Sequence, residues 1–173
     1  IAAVNGPDSV VISGPEDVVL AEAARFERSK RLTVSHAFHS VLMEPMLDEF
    51  RAVVEGLTFG QPTVPLVSNV TGLVATDFAD PEYWVRHVRE AVRFHDGVTA
   101  LHEAGVRKYL EIGPDAVLTP LLEQATAAQR RGHGETETLL RAVAGLFTTG
   151  TTVDWAAIVA PAGGRRIDLP TYP

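Results

Sequence analysis

Six histidines and a complete lack of cysteine frame the chemistry open to this chain. The histidines are His36, His39, His87, His95, His102 and His133. His36 and His39 stand three apart, but no His-Glu-x-x-His helix and no clustered carboxylates accompany them, so a metal site is not expected. Without cysteine there is also no thiolate metal site, no disulfide and no cysteine nucleophile. A histidine in a strand-to-helix turn can serve as general base for a serine, provided a strained nucleophile turn lies elsewhere. That turn reads Gly-x-Ser-x-Gly, and none of Ser9, Ser13, Ser29, Ser35, Ser40 or Ser68 is so flanked. On spacing alone the chain offers a base without a nucleophile. The plainer reading, polar histidines beside a buried helix, stays open.

Other clusters are weaker. Gly6-Pro7, Gly14-Pro15 and Gly113-Pro114 are turn punctuation, since no phosphate-loop pattern surrounds them. Arg86, Arg89 and Arg93 recur at helical spacing and could grip an anion, but a solvated helix face, with Glu82 and Glu90 nearby, is the better reading. Trp84 and Phe94 read as core residues.

The elements that must position these groups follow from periodicity and breakers. Ile1–Val4 reads as strand and Asn5–Asp8 as a turn. Ser9–Ser13 reads as a buried strand, the run from Glu16 to Phe26 as an amphipathic helix ending in Arg28, Lys30 and Arg31, and Leu32–Val34 as a second strand. Leu42, Met43, Met46, Leu47, Phe50, Val53 and Val54 then recur at helical spacing. Pro45 is tolerated only in a first helical turn, so that helix starts near Leu42–Pro45 and leaves His39 in the turn before it. Further along, Val64–Val70 reads as strand and 81–104 as helix, broken near Asp96-Gly97. Tyr109–Ile112 reads as buried strand, followed by helices around 115–128 and 136–148. The alternation predicts an α/β architecture with parallel pairing.

Composition bounds the function. The 173 residues are 46% hydrophobic, enough for a core. A net charge of −7, with no basic run, argues against binding nucleic acid. No apolar stretch approaches the roughly 20 residues that span a bilayer. A soluble globular polypeptide of the cytoplasm is expected. The apolar opening at Ile1 and the proline-spaced end at Pro173 suggest a piece of something longer.

The stretch Ser35-His36-Ala37-Phe38-His39-Ser40, followed by Leu42-Met43 and Pro45-Met46-Leu47, resembles the signature of acyltransferase domains of modular type I polyketide synthases. Other segments match in order: Ala3–Pro7, Ser68–Gly72, Asp80–Trp84, His87–Phe94, Leu110–Pro114, Val153–Trp155 and Leu169–Pro173. The resemblance implies the C-terminal part of an α/β-hydrolase-like core with the second half of a ferredoxin-like small subdomain. Residues 1–35 would belong to that subdomain, 36–158 to the core and 159–173 to the linker that follows.

The implied chemistry is transfer of a malonyl unit from malonyl-CoA, through an acyl-serine, to the phosphopantetheine thiol of an acyl carrier protein. No cofactor is implied beyond these substrates. His39 matches the general base. His87 matches the position where relatives place a group, often a main-chain carbonyl, that orients the base. His36, Ala37 and Phe38 match the substrate-selecting residues, and Asn5 resembles an asparagine lining the cleft. His-Ala-Phe-His is the malonyl-type form. Phe38 would fill the space that a C2 methyl needs, a discrimination of about 1–3 kcal/mol. The nucleophile turn and the arginine that pairs with the malonyl carboxylate would lie before Ile1, so this chain alone is expected to be inactive. Its implied partners are the N-terminal half of the domain, an adjacent ketosynthase and the carrier protein. A non-catalytic docking segment and a hydrolase on the same core are the alternatives.

Overall fold

Residues 1–164, 167 and 168 are described by the computed structural model, a mixed helix and strand structure that divides into two units at Arg107/Lys108. In the first unit, β1 (Ala3–Gly6) and β2 (Ser9–Val11) form an antiparallel hairpin about Pro7-Asp8, with an irregularity in register between Val4 and Gly6. The other edge of β1 meets Val92 in a parallel bridge. Val4 N–H donates to the Val92 carbonyl at 2.8 Å, and Val92 N–H to that of Ala2 at 2.8 Å. β1 thus joins β2 to the distant segment at Val92.

Helix α1 (Glu16–Ala23) starts after Pro15 with Glu16 and Asp17 in its first turn, where acidic groups suit the helix dipole. It buries no residue and ends before the basic run expected to close it. The expected strand at Leu32–Val34 is not formed; these residues are irregular, and Leu32 and Val34 are exposed. A three-residue apolar run holds an extended ladder only where a neighbouring strand takes up its backbone groups, and among the described residues none does.

After Ser40, a 3-10 turn at Val41–Met46 holds Pro45, and α2 (Leu47–Glu55) continues from it, close to the expected start. The expected strand Val64–Val70 contracts to a single Val67–Val74 bridge, because the chain turns back at Ser68–Gly72. Asp80 caps α3 (Pro81–Arg89), accepting from Glu82 N–H at 2.9 Å with Pro81 at the first helical position. The helical stretch breaks at Glu90–Arg93, earlier than Asp96-Gly97. Glu90 is extended and Val92 is taken up by β1, so α4 (Phe94–Glu103) starts afresh with Gly97 buried inside it. Trp84 is half-buried, stacked on Phe59 at 6.0 Å and donating Nε1–H to the Phe78 carbonyl at 2.8 Å.

In the second unit, β3 (Tyr109–Glu111) pairs in parallel with β4 (Ala125–Ala127), as the α/β pattern predicts. The helix expected over 115–128 is absent. A 3-10 turn at Thr119–Leu121 and β4 occupy that stretch. Pro120 forbids a helix interior, and the Glu111 carboxylate gathers the amides of Val117, Leu118 and Thr119 into a turn instead. Helix α5 (Glu135–Thr148) agrees with the sequence reading, and buries Ala142. Asp154 caps α6 (Trp155–Val159), whose Trp155 meets Phe147 edge-on at 5.4 Å. A 3-10 turn at Ala160–Ala162 follows, where an extended linker was expected. The Leu169–Pro173 match lies outside the described residues. No helix among the described residues is long and apolar enough to cross a membrane.

Candidate active site

Among the described residues His39 is one of two non-glycine residues with positive φ, at 61°. Such a conformation costs about 1–3 kcal/mol and persists only where its surroundings impose it. Here they do. His39 N–H donates to the Val88 carbonyl at 3.0 Å, and His39 Nδ1 lies 2.7 Å from the Glu90 carbonyl. A carbonyl only accepts, so Nδ1 carries the hydrogen and the neutral ring presents a lone pair at Nε2. That is the tautomer a general base needs.

The two carbonyls come from the end of α3. Val88 lies in its last turn and Glu90 is its C-cap, with Glu90 N–H closing on the Arg86 carbonyl at 2.7 Å. Between them Arg89 reaches Glu44 in the turn after His39, Nε to Oε1 at 2.9 Å. Arg86 grips the Glu90 side chain in a fork, at 2.9 and 3.2 Å. That pairing, above all its hydrogen bond, lowers the Glu90 pKa. Arg93 pairs with Asp96 at 2.6 Å. The three arginines are therefore each ion-paired, to Glu90, Glu44 and Asp96, while Glu82 pairs with Arg51 instead.

His87 does not supply the orienting group. The acceptor lies three residues beyond it, and the His87 ring stands edge-on to that of His39, centroids 6.1 Å apart. Partial burial, then the nearby charge of His39, lower the His87 pKa. The row continues from His39 to Phe38 at 6.4 Å and from Phe38 to His36 at 6.2 Å, so the structure brings these four expected residues together. His36 is exposed, with Nδ1 3.0 Å from Ser35 Oγ. Phe38 is 46% exposed. The Ala37 carbonyl accepts from Ser40 Oγ at 2.6 Å. Asn5 lies on β1, and its side chain makes no hydrogen bond among the described residues. Among those residues there is no cluster able to hold a metal ion.

Sequence reasoning missed two features. Ser40 was readable as an N-cap, a serine just before a proline-bearing first turn. The Ser68–Tyr83 pair, buried hydroxyls 2.9 Å apart, had no such signal, being set by a loop and a helix meeting.

The family model described as acyl transferase domain matches residues 1–152. Polyketide synthase GfsA of Streptomyces halstedii is 50% identical over 188 residues, covering 99% of this chain and 2% of that protein. The acyltransferase domain from the second module of the salinomycin polyketide synthase superposes with a TM-score of 0.88 at 48% identity, over 98% of this chain and 43% of the other. A malonyl-transacylase solved in complex with its type II polyketide synthase acyl-carrier protein superposes with a TM-score of 0.69 at 33% identity, over 83% and 48%. The chain thus spans less than half of each solved structure and a small part of the curated relative. With this histidine geometry, these similarities place the chain in the acyl transferase domain family, in the form found in modular type I polyketide synthases.

Proposed function

We propose that this chain supplies the general base and the substrate-selecting loop of a malonyl-CoA:acyl carrier protein acyltransferase. The observation that carries the reading is His39, whose Nδ1–H is committed to the Glu90 carbonyl and whose Nε2 is left basic. In the first half-reaction His39 Nε2 takes the proton of a serine hydroxyl contributed from outside this chain, as that oxygen attacks the thioester carbonyl of malonyl-CoA. The C–S bond breaks, and the imidazolium returns the proton to the departing CoA sulfur. In the second half, Nε2 takes the proton of the carrier's phosphopantetheine thiol, whose sulfur attacks the acyl-serine ester. The serine oxygen leaves and recovers its proton from His39.

Phe38, two ring contacts from His36 and His39, narrows the site against a C2 methyl. The solved malonyl-transacylase bound to its carrier protein supports both the malonyl substrate and the carrier as partner. The same reading keeps residues 1–35 in a ferredoxin-like subdomain beside an α/β-hydrolase-like core, expects an adjacent ketosynthase, and places the reaction in the cytoplasm.

The test uses the full-length protein, incubated with malonyl-CoA or methylmalonyl-CoA and read by intact mass. A malonyl adduct should form about 10²–10⁴-fold more slowly after His39→Ala. Equal loading of both acyl groups would remove the Phe38 argument. Rapid CoA release without adduct would indicate a hydrolase, and neither adduct nor release a docking segment.

A further inference from the structure

We propose that Ser40 is a positioning residue: its hydroxyl closes the turn that carries Ala37, Phe38 and His39, and so sets acyl selectivity together with the placement of the base. The inference rests on the acyl-transfer reading above. Ser40 is 5% exposed, although its neighbours Phe38, Val41 and Leu42 are all exposed. Its Oγ donates to the Ala37 carbonyl at 2.6 Å and accepts from Leu42 N–H at 3.2 Å, while its own carbonyl accepts from Met43 N–H at 3.1 Å. One oxygen therefore ties the residue before Phe38 to the helical turn after His39.

Among the described residues no other side chain hydrogen-bonds to both Ala37 and Leu42. His39, at φ 61°, is held separately, by the Val88 and Glu90 carbonyls. The Phe38 ring, 46% exposed, stands against the His36 and His39 rings, both carried by the same loop, so its direction is tied to that loop's backbone. Releasing the Ala37 carbonyl lets Phe38 swing while His39 keeps its bonds to the Val88 and Glu90 carbonyls. The consequence is specific: selectivity between acyl groups loosens more than the base is lost.

Capping and tethering can be separated. Ionised aspartate at position 40 accepts from Leu42 N–H but has no hydrogen for Ala37. Glycine starts a helix at a cost of only a few tenths of a kcal/mol relative to serine and has no side chain at all. Threonine keeps both functions. In the full-length protein, malonyl-CoA and methylmalonyl-CoA are supplied in competition and the two acyl-enzyme masses are compared, beside thermal melting. Ser40→Asp and Ser40→Gly should each lose some thermal stability, since both leave the part-buried Ala37 carbonyl without its donor. In the folded variant the malonyl-to-methylmalonyl ratio should fall about five-fold, the change one neutral hydrogen bond carries. Ser40→Thr should keep the parental ratio. A folded Ser40→Asp or Ser40→Gly with the parental ratio overturns the proposal, as does Ser40→Thr losing as much as either. A parent protein that loads neither acyl group overturns instead the acyl-transfer reading on which this rests.

Discussion

Replacing Glu111 with glutamine removes the carboxylate on which the turn after β3 is wound. Oε1 of Glu111 accepts from the amides of Val117 and Leu118, both at 2.9 Å. Oε2 accepts from Thr119 N–H at 2.7 Å and Thr119 Oγ1–H at 2.6 Å. Partial burial pushes this carboxyl up, but the Thr119 hydroxyl and the three amides outweigh it and hold the pKa at about 2, against an ordinary 4.5. Taken at full value that shift is worth about 3 kcal/mol. Solvent screening at this partly exposed site reduces it to about 2 kcal/mol. Glutamine can still accept the first two amides, but its NH₂ faces Thr119 N–H, donor against donor.

The assay is hydrogen exchange at Val117, Leu118 and Thr119 in the full-length protein. Protection should fall about 30-fold in Glu111→Gln, the equivalent of about 2 kcal/mol. Because the folded pKa lies below the unfolded one, the contribution is complete above pH 4.5. It is lost progressively as pH falls from there through about 2. The variant should show no such loss. Unchanged protection in the variant, or a parent whose protection at these amides is flat across that window, would refute the reasoning.

Ser68→Ala deprives the Tyr83 hydroxyl and the amides of Val70 and Thr71 of their shared partner in the core, and should cost about 2–4 kcal/mol in denaturant unfolding. Gly72 has φ 74°, and a Cβ there would lie 2.5 Å from Asp96 Cβ. Gly72→Ala should therefore destabilise by about 2–4 kcal/mol, read as a fall in Tm. His87 titrates below its ordinary 6.5 because of its burial and the charge of His39. Its contribution to stability is intact above pH 6.5 and declines as pH falls through its folded pKa, so His87→Gln should flatten that part of the stability profile.

Much of this was legible in the chain itself. Pro45 and the helical apolar spacing around it located α2 to within a few residues, the helical pattern from residue 81 matched the start of α3, and the serines' flanks showed that no nucleophile turn accompanies His39. These signals are local: a proline, a cap or a missing glycine acts within one turn of backbone. The strand at Leu32–Val34 and the helix over 115–128 failed for the opposite reason. Whether an apolar run becomes a strand depends on a partner edge, and the turn at 117–119 depends on a carboxylate six to eight residues earlier in the chain.

The site divides in the same way. The types and order of His36, Ala37, Phe38 and His39 are a property of the sequence, and the proposed roles of base and selector rest on them. What fixes the tautomer of the His39 ring is a main-chain carbonyl, at Glu90 rather than at His87. Every residue carries a carbonyl, so no side-chain pattern marks the one that matters. Only the packing of the His39 loop against the end of α3, with Val92 drawn onto β1, selects it.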